Sequence, residues 1–169
     1  MFNAAGLQTR LLDDAGAAEL DRLHDRCADF VRLVGGRDPA EGDGLVLLND
    51  RPPGVAAEDK LVFGLFDGSE LAGVAELLRG YPTPTIWCLG LLMLTPDRRG
   101  GGVGSAIYSA LSDWIADQGG KTIRLIVQAQ NPAALRFWQR QAFKQVGTTL
   151  QETGHTRNTV LILEHDLRP

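Results

Sequence analysis

The sequence predicts an α/β or α+β domain built on a mixed β-sheet. Helical patterns alternate with short apolar runs, in the order strand, helix, strands, helix, strand, helix, strands. Apolar residues make up 44% of the 169 residues, which is enough for a core that needs no metal or disulfide support. This length suits one domain, which we expect to span residues 1–169.

The first half of the chain predicts one long helix and then a surface excursion. Apolar residues recur with helical spacing over Asp14 to Val34, and Gly35-Gly36 ends the pattern. Glycine and proline are frequent from Gly35 to Gly54, where apolar Leu45 to Leu48 predict a short helix or turn. Such a composition is typical of an excursion on the surface rather than of a linker between domains.

Three strand-like runs follow. Leu61 to Phe66 ends at Asp67-Gly68, a strong hairpin signal, and Glu70 to Leu78 is the second run. Thr85 to Leu94 is nearly all apolar, which is typical of a central strand covered on both faces.

The second half changes rhythm. Apolar residues from Val103 to Ile115 predict an amphipathic helix, and Ile123 to Val127 predicts a short strand. Asn131-Pro132 has the chemistry of an N-cap followed by proline at the first helical position. Two more strand-like runs follow, at Val146 to Leu150 and Asn158 to Leu163.

Charge and composition exclude several classes of protein. The chain has 17 Lys and Arg against 21 Asp and Glu, a net charge of −4, whereas nucleic-acid binders usually carry a basic surface. No run of about 18 apolar residues exists to span a membrane. Met1 to Arg10 lacks the basic start and apolar run of a signal peptide. We therefore expect neither a nucleic-acid nor a membrane partner.

Cysteine and histidine usage predicts a reducing compartment and no metal site. Cys27 and Cys88 form no CxxC pair, so free thiols in the cytoplasm are the simplest interpretation. The histidines, His24, His155 and His165, are scattered along the chain without the spacing of metal ligands.

The most informative segment is a glycine-rich loop between a strand and a helix, Arg99-Gly100-Gly101-Gly102-Val103-Gly104-Ser105. Glycine allows close approach of the backbone, and the free N–H groups of a helix N-terminus favour a phosphate or pyrophosphate. A Walker loop needs Gly-Lys followed by Ser or Thr, and Val103-Gly104-Ser105 lacks the lysine. A dinucleotide fingerprint would need glycine at Ser105 or Ile107. Both of these alternatives fail.

A second segment has the sequence Asn131-Pro132-Ala133-Ala134-Leu135-Arg136-Phe137-Trp138 and closes at Ala142-Phe143. Together with the loop, which fits the pattern Arg or Gln, two residues, Gly, one residue, Gly or Ala, it resembles the GNAT acyltransferases. The resemblance runs from about Leu61 to Phe143.

The resemblance implies a mostly antiparallel sheet, flanked by helices and splayed between the Thr85–Leu94 and Ile123–Val127 strands, with acetyl-CoA bound in the split. It implies that main chain near Met93 and Leu94 holds the pantetheine arm. The implied pyrophosphate contacts are Arg99, Gly100, Gly101, Gly102, Val103, Gly104 and Ser105. Asn131, Ala134 and Phe137 would border the cofactor from the next strand and helix.

The catalytic groups are less clear from the sequence. An amine must be neutral to attack a thioester, so a base is useful, and Glu76, a carboxylate within an apolar run, is the first candidate; His155 is weaker. Many GNAT members have a tyrosine acid where Trp138 stands, and tryptophan cannot replace it. Tyr81, in the Gly80–Pro84 loop, is the tyrosine we expect near a substrate, whereas Tyr108 is expected to pack.

These observations predict an N-acetyltransferase that acts on a primary amine of a small molecule or peptide, with acetyl-CoA as co-substrate. The alternative is a non-catalytic acyl-CoA-binding module. Acidic residues of the excursion, among them Asp38, Glu41 and Asp43, favour a cationic amine acceptor, because the resemblance places this loop beside the acceptor site. The resemblance also allows a homodimer.

Overall fold

The computed structural model describes residues 1–153 and 156–167, and its fold is a mixed α/β sheet with helices on both faces. The helices are α1 (Ala17–Arg26), α2 (Ala28–Gly35), α3 (Asp43–Asn49), α4 (Val103–Asp117) and α5 (Pro132–Arg140). The strands are β1 (Asn3–Ala4), β2 (Leu7–Leu11), β3 (Lys60–Asp67), β4 (Glu70–Leu78), β5 (Ile86–Leu94), β6 (Thr122–Gln128), β7 (Lys144–Thr153) and β8 (Thr156–Asp166).

The described strands form one eight-stranded sheet in the order β1-β2-β3-β4-β5-β6-β8-β7. Neighbouring strands are antiparallel except β5 and β6, which run parallel. The predicted mixed, mostly antiparallel sheet is therefore confirmed. The central position of β5 agrees with its continuous apolar sequence.

Two apolar layers hold the helices to the sheet. On one face α4 packs through Leu111 and Ile115 against Ile123 and Leu163. On the other face α1 packs through Leu20 and Leu23, in a cluster that includes Val74 and Met93. The first cluster includes residues of β5 and β6 and the second includes residues of β3, β4 and β5, so helices cover β5 on both faces.

The prediction of one helix from Asp14 to Val34 is wrong at Cys27, where the backbone leaves the helical region (φ −107°, ψ 26°) and α1 gives way to α2. The buried Cys27 thiol lies 3.5 Å from the Leu94 carbonyl. The apolar spacing continues through Cys27, so periodicity along the chain does not reveal the break.

Helix α3 is the short helix expected within the Gly35–Gly54 excursion, and a carboxylate of α1 holds its start. The Asp21 side chain accepts hydrogen bonds from the backbone N–H groups of Gly42 (3.0 Å) and Gly44 (2.7 Å). These two bonds lower the pKa of Asp21 from its ordinary value of 3.8. The excursion is thereby tied to the body of the domain.

We expect Asp21→Ala to lower the free energy of unfolding by about 1 kcal/mol near neutral pH, because two backbone donors lose a charged acceptor. A carboxylate whose pKa is lower in the folded state stabilises the fold above its unfolded pKa, and that contribution is lost as the pH falls through the folded pKa. Denaturant titrations should thus show the variant and the wild type converging in acid. Asp25→Ala, an exposed position on the same helix, is the matched control; an equal loss there would contradict the assignment.

Candidate active site

The sheet opens where the β5–β6 pairing stops. The two strands pair only from Ile86 with Thr122 to Cys88 with Arg124. Beyond these pairs they separate around a cavity of about 260 Å³. Among the described strands, none pairs with the edge of β5 that faces this cavity. The cavity lining includes Leu89, Gly90, Leu91 and Leu92 of β5, Leu125, Ile126, Val127 and Gln128 of β6, and Asn131, Ala134 and Trp138.

A β-bulge shapes β5 at the opening. The β4–β5 register shifts between Glu76, which faces Leu91, and Leu77, which faces Leu89, so Gly90 is the extra residue. A Cβ placed on Gly90 would lie 2.6 Å from the Glu76 Oε2 atom. Glycine is therefore required for the carboxylate to lie against the strand. An isolated glycine in an apolar strand is itself a sequence signal of such a bulge, although the apolar run Thr85 to Leu94 by itself predicts an unbroken strand.

The glycine-rich loop leads into α4 as predicted. Gly100, Gly101 and Gly102 all have left-handed φ values, +83°, +56° and +82°. Among the described residues, the backbone N–H groups of Gly104 and Ser105 have no acceptor, and they lie in the first turn of the helix. Free N–H groups and the helix dipole together suit an anion.

The arginine next to the loop is held in an ion pair. The Arg99 guanidinium donates to both oxygens of Asp29, one of them at 3.1 Å, and its Nε donates to the Leu94 carbonyl at 2.8 Å. Arg99 lowers the pKa of Asp29 through this contact. No local sequence pattern predicts this pairing with Asp29. Because the Arg99 charge is already paired, the free backbone N–H groups of Gly104 and Ser105 are the donors that remain to bind an anion at the loop.

The residues expected beside the cofactor lie around the same opening. Asn131 caps α5, accepting from the Ala134 N–H at 3.1 Å, and both residues line the cavity. Phe137 lies against the loop, since a Cβ on Gly104 would come within 3.3 Å of its ring. Met93 and Leu94 continue the β5 edge toward the loop, with buried side chains.

A larger cleft of about 820 Å³ adjoins the opening. Both proposed catalytic residues, Glu76 and Tyr81, line it, and Gly90 lines both cavities. The Glu76 side chain is 14% exposed and accepts from the Lys60 ammonium at 2.9 Å. Lys60, whose side chain is 4% exposed, is a partner that the sequence analysis did not foresee, because it stands 16 residues away at the start of β3.

The remaining aromatic groups pack rather than face substrate. Trp138 is 8% exposed, and its ring meets Tyr108 edge to face with centroids 5.4 Å apart. The Tyr108 hydroxyl lies 2.6 Å from His165 Nδ1, and burial raises its pKa. Tyr108 is therefore a packing residue, as predicted. His155 lies outside the described residues.

Two of the acidic residues that the sequence analysis singled out in the excursion are paired with arginines. Asp38 pairs with Arg32 at 2.5 Å, and Arg37 donates to both oxygens of Asp43 at 2.6 and 2.9 Å. The Arg37 contact lowers the pKa of Asp43. The expectation of a cationic acceptor loses the support of Asp38 and Asp43, since their charges already have partners, whereas Glu41 is in none of the ion pairs found among the described residues.

Both cysteines are free thiols. Burial, with the nearby Glu76 charge, raises the pKa of Cys88 to about 11, so this thiol stays protonated at neutral pH. Within the described part of the chain, no group of three or more His, Cys, Asp or Glu side chains is placed to hold a metal ion. No described helix has the length and apolar character needed to cross a membrane.

A sheet opened between two parallel strands, with a glycine-lined helix N-terminus at one end and a carboxylate at the other, is suited to an elongated ligand that carries a phosphate group. The Acetyltransferase (GNAT) family model matches residues 22–143. The chain therefore belongs to the GNAT acetyltransferase family.

Similar solved structures cover nearly the whole chain. An acetyltransferase from Thermus thermophilus is 24% identical over 99% of this chain and 100% of that one, with a TM-score of 0.74. Spermidine N-acetyltransferase from Vibrio cholerae, solved with CoA and spermine, is 18% identical over 96% of each chain, with a TM-score of 0.72. At these identities the likeness shows the fold alone.

A curated relative matches over a shorter stretch. Mycothiol acetyltransferase of Clavibacter sepedonicus is 36% identical over 61 residues, which is 36% of this chain and 20% of that protein. The match thus spans about a fifth of the length of this relative.

Proposed function

We propose that the protein, as a single acyltransferase domain over residues 1–169, transfers an acetyl group from acetyl-CoA to a primary amine. The observation that carries the proposal is the continuity of the site. The unpaired edge of β5 runs from the glycine loop to the bulge at Gly90, and Glu76 lies against that bulge. An elongated thioester and an amine can therefore meet at one point.

The residues present fit acetyl-CoA. The N–H groups of Gly104 and Ser105, at the positive end of α4, are suited to the pyrophosphate. Main chain from Met93 back to Leu89 lies on the edge of β5 that no described strand pairs with, and it offers groups for the amide-bearing arm; the Leu94 carbonyl already accepts from Arg99. When bound, acetyl-CoA supplies an activated acetyl thioester. Asn131 and Ala134 line the opposite side of the cavity, and Phe137 lies beside Gly104, so all three would border the cofactor.

The proposed chemistry divides between main chain and side chains. Glu76 accepts a proton from the ammonium form of the acceptor, which leaves a neutral amine able to attack the thioester carbonyl. Unpaired N–H groups of β5 beside Gly90 stabilise the developing oxyanion. The C–N bond forms and the C–S bond breaks, so the sulfur leaves as a thiolate, and the nitrogen gives up its second proton to solvent or to that thiolate as the amide forms. Its conjugate acid has a pKa near 8.5 by analogy with cysteine, which makes departure feasible without a protein acid. Tyr81 contacts the acceptor in the cleft.

Release of free thiol tests the proposal. With acetyl-CoA and a set of primary amines, we expect amine-stimulated thiol release and an acetylated amine visible by mass spectrometry. Spermidine, which the name of one structural relative suggests, belongs in the set alongside simple amines. Absence of any stimulated release over the whole set, with acetyl-CoA bound, would contradict acetyl transfer.

That outcome would instead support the second candidate, a non-catalytic acyl-CoA-binding module. Two observations favour it: Glu76 is held in an ion pair by Lys60, and Trp138 replaces the tyrosine acid that many family members carry. Binding of acetyl-CoA is common to both candidates, so turnover separates them.

Location and assembly are further parts of the proposal. The two free thiols, Cys27 and Cys88, support a cytoplasmic location. A homodimer is proposed from the family resemblance, and light scattering of the purified chain measures it.

A further inference from the structure

The walls of the large cleft are mostly aliphatic and aromatic. One face of α2 and one face of α3 stand opposite the sheet, and the apolar side chains that line the space include Phe30, Val31, Val34, Val46, Ile126 and Ile162. Val46 is 60% exposed and Ile126 is 39% exposed. Ile126 lies directly opposite Ile162 in the β6–β8 register, so the two form a continuous apolar strip on the sheet.

Only one side of α3 faces the cleft. Asp43, Val46, Leu47 and Asp50 line the cleft, and their spacing places them on one side of the helix or its immediate end. Leu45, although 46% exposed, does not line it. An exposed aliphatic side chain inside a concave site is a surface that gains free energy when a ligand covers it.

The charges in the cleft leave no surplus of negative charge for a polycation. The charged residues that line it among the described residues are the cations Arg37, Arg51, Lys60 and Arg124 and the carboxylates Asp43, Asp50 and Glu76. Asp43 and Glu76 are paired within the cleft, with Arg37 and Lys60. Arg124 is paired with Glu164 at 2.5 Å. Within this described lining, a ligand with several ammonium groups would find one carboxylate outside an ion pair, that of Asp50.

We infer that the acceptor is a monoamine carried on a bulky apolar body, an arylalkyl or branched alkyl amine, rather than a polyamine or a small polar amine. This inference rests on the proposed acetyl transfer at the same site. The amine reaches Glu76 at the floor, where the bulge at Gly90 opens to the cofactor channel, and the apolar body lies between α2, α3 and the Ile126–Ile162 strip. The volume of about 820 Å³ is within the range of small-molecule sites.

The test compares three amines on one enzyme: 2-phenylethylamine, spermidine and ethanolamine. With acetyl-CoA present, kcat/KM for 2-phenylethylamine is expected to exceed that for each of the other two at least tenfold. Val46→Asp should raise the KM for 2-phenylethylamine about tenfold. Leu45→Asp, the neighbouring exposed position on the same helix, should change it less than twofold.

A second pair of variants lies on β-strands, so that its effects do not depend on the folding of α3. Ile126→Thr should raise the KM for 2-phenylethylamine severalfold. Val146→Thr, at an exposed β-strand position that does not line the cleft, should leave that KM unchanged. Equal effects within each pair, or a higher kcat/KM for spermidine or ethanolamine, would overturn the inference while acetyl transfer stands.

Calorimetric titration of 2-phenylethylamine into the CoA complex separates this inference from the proposed function. Binding that Val46→Asp weakens and Leu45→Asp does not, without turnover of any amine, would support the apolar site and contradict acetyl transfer. Absence of binding together with absence of turnover would overturn both.

Discussion

Gly102→Asp is expected to abolish the stabilisation that acetyl-CoA gives the native protein. Ligand at about 100 times its dissociation constant should add about 2.7 kcal/mol to the free energy of unfolding of the wild type. Gly102 is the N-cap of α4 with φ +82°, directly before the N–H groups of Val103, Gly104 and Ser105. A carboxylate there repels a pyrophosphate and competes for the same donors. Thermal unfolding with and without acetyl-CoA measures the difference.

The other end of α4 provides a matched control. Gly119 also has a left-handed backbone, φ +89°, and a Cβ at either glycine meets nothing within 4 Å. Both substitutions therefore impose a similar backbone strain of about 1 kcal/mol and add the same charge. Gly119→Asp should keep the full stabilisation by acetyl-CoA. If both variants kept the stabilisation by acetyl-CoA, the cofactor would not lie on the glycine loop. If both variants lost this stabilisation, the cause would be a general folding defect.

Glu76→Gln is expected to lower kcat/KM at least about a hundredfold, because the acceptor amine loses its proton acceptor. The amide oxygen can still accept from Lys60, so the buried ammonium keeps a partner and the fold is preserved. Acetyl-CoA should bind as tightly as to the wild type. The loss should shrink as the pH rises, since more of the free amine is then already neutral. Steady-state kinetics over a pH series measure these effects.

Glu70→Gln is the matched control on the same strand. Glu70 begins β4, and its exposed carboxylate pairs with Arg26 at 2.6 Å, remote from the bulge. Its substitution should leave kcat/KM within twofold of the wild type. A Glu76→Gln enzyme with wild-type kcat/KM at neutral pH would assign the base to another group or to water.

The helices and strands that the sequence predicted correctly depend on residues close together in the chain. Periodicity and turn residues located β3, β4, β5, α4, β6 and α5, and the Asn131 cap formed as its side chain suggested. The glycine loop and the Asn131 segment each lie within one short stretch. Their pattern was therefore readable without knowledge of what packs around them, and it was sufficient to place the chain in its family.

The details of the site depend on residues that are distant in the sequence. Arg99 is paired with Asp29, 70 residues away, and Glu76 with Lys60 across the β3–β4 hairpin. The Cys27 thiol likewise contacts the carbonyl of Leu94, 67 residues away in the sequence. A sequence pattern records which residues are apolar or charged along one element, whereas ion pairs, cavities and cleft walls form between elements. The sequence by itself thus determined the elements and the family, and the tertiary structure decided which charges are neutralised and which apolar surface faces the acceptor.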